Sequence, residues 1–126
     1  MLQQPAITPA ESEVMEILWR DSPLPAEEIA LRLQSSQKWQ LPTIKTLINR
    51  LLRKKALQAR RDGRRYLYLP RVSREEWLTA ESAGLLDRLF DGRLAPFVAH
   101  FSRQRKLSPR DVEEIQSILK ELKHGR

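Results

Sequence analysis

The sequence predicts a mainly α-helical fold with one small β-hairpin, and three observations carry this prediction. Apolar residues recur at helical spacing along most of the 126-residue chain. Ser or Thr followed by Pro or an acidic residue stands where several of these segments begin, as in helix caps. The pair Asp62-Gly63 separates two runs that contain leucine, and Asp-Gly in such a position favours a hairpin turn.

Local signals mark the first two helices. Thr8-Pro9-Ala10-Glu11 has the pattern of a capping box with proline at the first helical position, which predicts a helix over about residues 9 to 20. Pro25 begins a short second helix, which ends at Ser35 and Ser36. The apolar residues of these two helices are Val14, Met15, Ile17, Leu18, Trp19, Ile29, Ala30 and Leu33.

A third helix begins at Pro42 and leads into the hairpin. Its apolar residues fall on one arc and are candidates for the core: Ile44, Leu47, Ile48, Leu51 and Leu52. In the second strand, alternation places Tyr66 and Tyr68 on one face and Leu67 and Leu69 on the other, so one pair is expected in the core. Stacking of the tyrosines on single-stranded nucleic acid is the alternative.

Residues 73 to 126 predict three more helices. Ser73-Arg74-Glu75-Glu76 is a second capping box whose helix ends near Asp91-Gly92, another helix spans about Leu94 to Arg103, and Ser108-Pro109-Arg110-Asp111 caps the last. So short a segment cannot bury its apolar residues well alone, so a second copy of the chain is expected to cover them. The expected dimer contacts are Leu85, Leu89, Phe90, Phe97, Ile115, Ile118 and Leu122.

Composition excludes several classes of protein. No apolar stretch approaches the roughly 20 residues of a membrane span, so no membrane insertion is expected, and the first residues lack the pattern of a signal peptide. A cytoplasmic location is therefore expected. The absence of cysteine excludes disulfides and thiolate chemistry, and no glycine-rich phosphate loop or histidine pair at ligand spacing is present. We expect neither an enzyme nor a bound cofactor or metal.

Positive charge is concentrated between Lys38 and Arg71, where eleven basic residues accompany a single acid, Asp62. Such a concentration attracts a polyanion, although a solvated surface is the alternative. The third helix places Thr43, Lys45, Thr46, Asn49 and Arg50 opposite its apolar arc, with no carboxylate among them. These side-chain types can bond to base edges in the DNA major groove, whereas an ordinary solvent-facing helix mixes in glutamates.

Three short helices followed by a basic hairpin is the order of a winged helix-turn-helix. We therefore predict a DNA-binding domain over residues 1 to 72 and a helical dimerisation domain over residues 73 to 126. Double-stranded DNA is the expected partner, and the side chains expected to contact its phosphates are Lys38, Arg53, Lys54, Arg60, Arg61, Arg64 and Arg65.

The sequence resembles the penicillinase-repressor family, also called BlaI/MecI/CopY, over nearly its whole length. The segments that carry the resemblance are ITPAESEVMEILW, WQLPTIKTLINRLLRKKAL, GRRYLYLPRVSREE, GRLAPFVAHF and KLSPRDVEEIQSIL. The resemblance implies a dimeric repressor on near-palindromic operators, with the C-terminal helices forming the dimer and an inducing signal releasing the DNA.

Two positions depart from the family pattern near the third helix. The family usually has a serine directly after the tryptophan. Here Trp39 is followed by Gln40, Leu41 and Pro42, so a capping hydroxyl is missing. A glycine that commonly ends the helix is replaced by Lys55, which costs about 1 kcal/mol if the left-handed conformation is kept.

The resemblance also suggests a regulatory protease as a partner. In the antibiotic-resistance members a sensor-linked membrane protease cuts an Asn-Phe bond, which corresponds here to His100-Phe101. The cysteine-rich metal site of the copper-responsive members is excluded, because only His100 and His124 remain as nitrogen ligands.

Two further binding classes stay open from the residues alone. A protein-interaction module whose basic face binds acidic partners predicts binding that is indifferent to DNA sequence. RNA binding has no recognisable motif beyond the tyrosines.

Overall fold

The computed structural model describes residues 5 to 125, and within them six helices and two strands follow one another along the chain. They are α1 (Pro9–Arg20), α2 (Ala26–Leu33), α3 (Leu41–Arg53), β1 (Leu57–Asp62), β2 (Arg65–Pro70), α4 (Arg74–Phe90), α5 (Leu94–Arg103) and α6 (Pro109–His124). The predicted mainly α-helical fold with one hairpin is confirmed. The chain divides into two compact units after Ala80.

The first unit has a core between α1, α2, α3 and the start of β1. The capping box of α1 forms as predicted: the Glu11 amide donates to Thr8 Oγ1 at 3.1 Å, and the Thr8 amide donates to Glu11 Oε1 at 3.0 Å. Apolar side chains from all three helices pack together in one core and are almost fully buried: Val14, Met15, Leu18, Ile29, Ile44, Ile48 and Leu51.

The hairpin turn lies one residue further along than the predicted Asp62-Gly63. Asp62 pairs with Arg65, so the two loop residues are Gly63 and Arg64. Gly63 has a φ of 65°, and the favoured two-residue hairpin turns require a positive φ at the first loop residue. Glycine therefore occupies the first loop position, and Asp62 is the last residue of β1.

The expectation that one alternating pair in β2 enters the core is wrong. Tyr68 is half-buried against the core and exchanges backbone hydrogen bonds with Leu24, but Tyr66 on the same face is 48% exposed. Leu67 and Leu69 are also only half-buried. Burial falls along the hairpin towards its loop, because only its base packs against the three helices.

The helix α3 ends in a left-handed turn at Lys55. Its φ is 63°, the Lys55 amide donates to the Leu52 carbonyl at 3.0 Å, and the Ala56 amide donates to the Leu51 carbonyl at 2.9 Å. This pair of bonds is the Schellman termination that glycine usually serves. Lysine therefore keeps the backbone conformation expected of the family's glycine.

The first turns of α4 pack in the first unit. Trp77 lies against Trp19 with ring centroids 5.2 Å apart, and Arg74 Nε lies 3.0 Å from Glu16 Oε1. The Trp19 indole also donates to the Val72 carbonyl at 2.8 Å. These contacts join residues 73 to 80 to the helices before them.

The second unit consists of the rest of α4 with α5 and α6. Phe97 packs edge-on against both Phe90 and Phe101, with centroids 5.5 and 5.0 Å apart. No residue between 81 and 125 is fully buried, and Leu89 and Leu122 are 60% and 73% exposed. Across the described residues, none of the helices has the length and apolar character that crossing a membrane requires.

Candidate nucleic-acid interface

The helix α3 separates its apolar and polar residues as the sequence predicts. Its apolar arc is buried at Ile44, Leu47, Ile48 and Leu51, and these side chains hold the helix against the core. The opposite surface, which we call the α3 face, is exposed and consists of Thr43, Lys45, Thr46, Asn49 and Arg50.

Within residues 5 to 125, no ion pair ties down the charged residues of the α3 face. Lys45 and Arg50 therefore keep their full complement of donors for a ligand. Asn49 carries both an acceptor and two donors, the combination that pairs with an adenine edge. The α3 face thus presents hydrogen-bonding groups and positive charge without a competing carboxylate.

Among the contacts within residues 5 to 125, Thr46 is the one member of the α3 face whose side chain makes a hydrogen bond to the chain. Its hydroxyl donates to the Pro42 carbonyl at 3.0 Å, one turn earlier in the helix. The methyl group and the remaining lone pairs of the oxygen stay available. Thr46 is consequently suited to an apolar contact, such as that with a thymine methyl group.

The start of α3 lacks a side-chain cap, as the departure at Gln40 predicts. Gln40 occupies the N-cap position without a capping hydrogen bond, Leu41 and Pro42 follow, and the first turn contains no acidic residue. No acidic side chain of the first turn therefore neutralises the positive end of the helix dipole. This positive end adds to the positive potential of the α3 face.

Two predicted phosphate contacts flank α3. Lys38 is exposed in the connection between α2 and α3, and Arg53 is exposed in the last turn of α3. Neither has an ion-pair partner in the part of the chain that the structure describes.

Lys54 has a different environment from the other predicted phosphate contacts. Its ammonium group donates to Glu11 Oε1 and, at 2.7 Å, to the Ala6 carbonyl. Glu11 is only 1% exposed. Sequence reasoning missed this ion pair because the two residues lie far apart in the chain; the one local signal was that the capping box places an acid at the start of α1.

Two opposing effects act on the Glu11 carboxyl. Burial opposes its ionisation, but the Lys54 ammonium and the hydrogen bonds from Thr8 outweigh burial and hold the pKa of Glu11 below its usual value. Glu11 is therefore ionised at neutral pH, and the charge of Lys54 is neutralised inside the domain.

The four arginines of the hairpin fall into three groups. Arg65 is bound to Asp62, with Nη2 and Oδ2 3.3 Å apart. Arg61 lies over the Tyr66 ring, 5.4 Å from its centroid, and its Nε donates to the Gly63 carbonyl at 3.1 Å. Arg60 and Arg64 are exposed and, among the described residues, make no side-chain hydrogen bond or ion pair.

The predicted dimer contacts all lie in the second unit. Leu89, Ile118 and Leu122 are more than half exposed. Four are half-buried: Leu85, Phe90, Phe97 and Ile115. The pair His100-Phe101 lies inside α5, where His100 is exposed and Phe101 is half-buried.

Three packed helices followed by a basic hairpin define a winged helix-turn-helix, a fold of DNA-binding transcription regulators. The family model described as Penicillinase repressor matches residues 7–121. The chain therefore belongs to the penicillinase repressor family, as the resemblance implied. Membership in a family of repressors also confirms that it is not an enzyme.

Individual relatives agree with this assignment. The penicillinase repressor of Bacillus licheniformis is 32% identical over 124 residues, which cover 98% of this chain and 97% of that protein. The solution structure of the DNA binding domain of the repressor BlaI is 33% identical, with a TM-score of 0.54, and the match covers 60% of this chain and 93% of that chain. The monomeric form of Bacillus licheniformis BlaI in complex with the blaP half-operator is also 33% identical, with the same coverage and a TM-score of 0.52.

Proposed function

We propose that this protein is a cytoplasmic repressor that binds near-palindromic operator DNA as a homodimer. The observation that carries the proposal is the α3 face, which is exposed, cationic and free of carboxylates. In this proposal Thr43, Lys45, Thr46, Asn49 and Arg50 contact base edges in the major groove. The complex of the relative BlaI with a half-operator supports this role for the shared domain.

The phosphate contacts in the proposal come from both sides of α3. Lys38 and Arg53 lie at its two ends, and Arg60 and Arg64 extend from the hairpin. Such contacts place the domain on DNA and make its affinity fall with salt, but carry no sequence information. Of the other predicted phosphate contacts, the Lys54 ammonium already binds Glu11 and Arg65 is paired with Asp62. Arg61 contacts Tyr66 and the Gly63 carbonyl.

Dimerisation supplies the second half-site contact. The exposed apolar side chains of the second unit, including Ile118 and Leu122, favour cover by a second copy over exposure to water. Two domains joined in this way place two α3 helices in successive major grooves about 34 Å apart. Occupancy of the operator then blocks RNA polymerase.

An inducing signal releases the operator in this proposal, and a regulatory protease that cuts His100-Phe101 is the route suggested by the family. Because the bond lies inside α5, local opening of that helix must precede cleavage. Mass spectrometry of the fragments that the regulatory protease produces checks this route. Cleavage after His100 supports the route, and cleavage only at other bonds contradicts it.

Fluorescence anisotropy tests the proposed function. The full-length protein is titrated with a duplex selected from a random library and with a scrambled duplex of equal composition, across a salt series. A preference of about a thousandfold or more for the selected duplex, with a steep negative salt slope, is expected of a specific repressor. Equal affinity for both duplexes instead supports the alternative, a basic interaction module that is indifferent to sequence.

A further inference from the structure

The hairpin of β1 and β2, here called the wing, restrains the side chain of Arg61 through two contacts that leave its charge unpaired among the described residues. Arg61 pairs directly across the two strands with Tyr66, its guanidinium lies 5.4 Å from the centre of that ring, and its Nε donates to the Gly63 carbonyl at 3.1 Å. A contact over an aromatic face and a hydrogen bond to the loop thus restrict the same side chain.

The face that carries Arg61 is also the anchored face of the wing. Strand alternation and register place Tyr68 and Ala59 on the same side as Arg61 and Tyr66. Tyr68 packs against the core and exchanges two backbone hydrogen bonds with Leu24, of 2.8 and 3.1 Å. The strand that carries Tyr66 is therefore joined at its base to the core in which the buried arc of α3 packs, and the Tyr66 ring in turn restrains the Arg61 guanidinium.

The neighbouring arginines lack this arrangement. Arg65 is partly neutralised by Asp62, and the side chains of Arg60 and Arg64 make no hydrogen bond or ion pair to the described residues. A long unrestrained side chain loses rotamer entropy on binding, which suits it to phosphates because they accept many geometries. Recognition of a base pair requires a side chain that is already in place.

We propose that Arg61, held in place by Tyr66, is a specificity-determining residue that inserts into the minor groove beside the α3 site and favours A·T base pairs there. This inference rests on the proposed function and adds a second element that recognises sequence. A narrow A·T minor groove has enhanced negative potential, and a guanidinium is weakly hydrated and enters it readily. A G·C pair opposes such insertion through the guanine amino group.

The test uses the selected duplex with its flanking base pairs changed to A·T, G·C or inosine·C, position by position. Inosine·C keeps the major-groove acceptors of G·C but lacks the minor-groove amino group. The wild-type protein is expected to bind A·T and inosine·C flanks roughly fivefold or more tightly than G·C flanks. The Arg61→Ala variant is expected to bind all three alike.

Matched variants distinguish insertion of Arg61 into the minor groove from general electrostatic attraction of the wing to DNA. Arg64→Ala is expected to weaken binding to all three duplexes by one factor and to keep the preference. Tyr66→Ala is expected to reduce the preference, and Tyr66→Phe to restore it, because the ring and not the hydroxyl holds Arg61. A circular dichroism spectrum like that of the wild type confirms that each variant is folded.

Three results overturn the inference. If Arg61→Ala weakens all three duplexes equally, Arg61 is a phosphate contact, and the proposed function stands without the inference. If inosine·C behaves as G·C, the flanking preference does not come from the minor-groove amino group. If the wild-type protein binds selected and scrambled duplexes alike, the proposed function fails together with the inference.

Discussion

At the scale of single residues, the ion pair between Glu11 and Lys54 shows what local sequence signals do not reveal. The capping box predicts that Glu11 bonds to the start of α1, and it does. It gives no information about Lys54 at the end of α3, because that contact exists only once the helices have packed. Lys55 is the opposite case: its left-handed conformation was expected only from the resemblance to the family, whose glycine commonly ends this helix.

Lys54→Ala is expected to lower the free energy of unfolding by about 3 kcal/mol, because it leaves the buried Glu11 carboxylate without its cation. The matched control is Arg53→Ala, which removes a neighbouring exposed cation and is expected to change stability by less than about 0.5 kcal/mol. Urea unfolding followed by circular dichroism measures both. Equal effects of the two substitutions would show that the ion pair contributes nothing.

The pH dependence of stability follows from the lowered pKa of Glu11. A carboxyl whose pKa is lower in the folded than in the unfolded state stabilises the fold above its unfolded pKa, and this contribution is lost as the pH falls through the folded value. The difference in unfolding free energy between the wild type and Glu11→Gln is therefore expected to shrink on acidification from about pH 7 to about pH 3. A difference that stays constant over this range contradicts the assignment.

At the scale of elements, the limits of the helices follow closely from caps and prolines. The loop of the hairpin, in contrast, can be identified only from the register of its two strands. Asp62-Gly63 predicted a turn, yet only the pairing of Asp62 with Arg65 identifies Gly63 and Arg64 as the loop. Burial of β2 was not predictable from alternation, because the pattern gives the faces of a strand but not how far the core extends along it.

Two glycines are expected to respond oppositely to alanine. Gly63→Ala forces a side chain into a left-handed conformation and is expected to cost about 1 kcal/mol, although no atom lies within 4 Å of the added Cβ. Gly84 lies inside α4, also with open space around an added Cβ, so Gly84→Ala is expected to stabilise by about 1 kcal/mol. Thermal unfolding measures both, and a gain on Gly63→Ala would contradict the turn geometry.

At the scale of the whole molecule, the winged fold and the α3 face were predictable because the sequence contains their caps, periodicity and charge. The dimer contacts stay a prediction, since apolar spacing shows that α5 and α6 have faces to bury but not which residues meet across two chains. The packing of residues 73 to 80 with the first unit likewise depends on Trp19 and Trp77, which are distant in sequence.

The proposed dimer predicts a change in mass on substitution in α6. Ile118→Glu and Leu122→Glu place charges among exposed apolar side chains and are expected to shift the protein from dimer to monomer at micromolar concentration. Lys120→Glu on the same helix is the control and is expected to leave the dimer intact. Sedimentation equilibrium measures the mass; a monomeric wild-type protein would remove this arrangement.

The most direct test of the central claim, that α3 recognises sequence while the wing loop supplies charge, compares Asn49→Ala with Arg64→Ala. Both are titrated by fluorescence anisotropy against the selected and scrambled duplexes across a salt series. Asn49→Ala is expected to lose roughly 1 to 3 kcal/mol on the selected duplex alone, whereas Arg64→Ala weakens binding to both and lowers the salt slope by about 1. Loss of preference in Arg64→Ala, with preference retained in Asn49→Ala, would contradict the account.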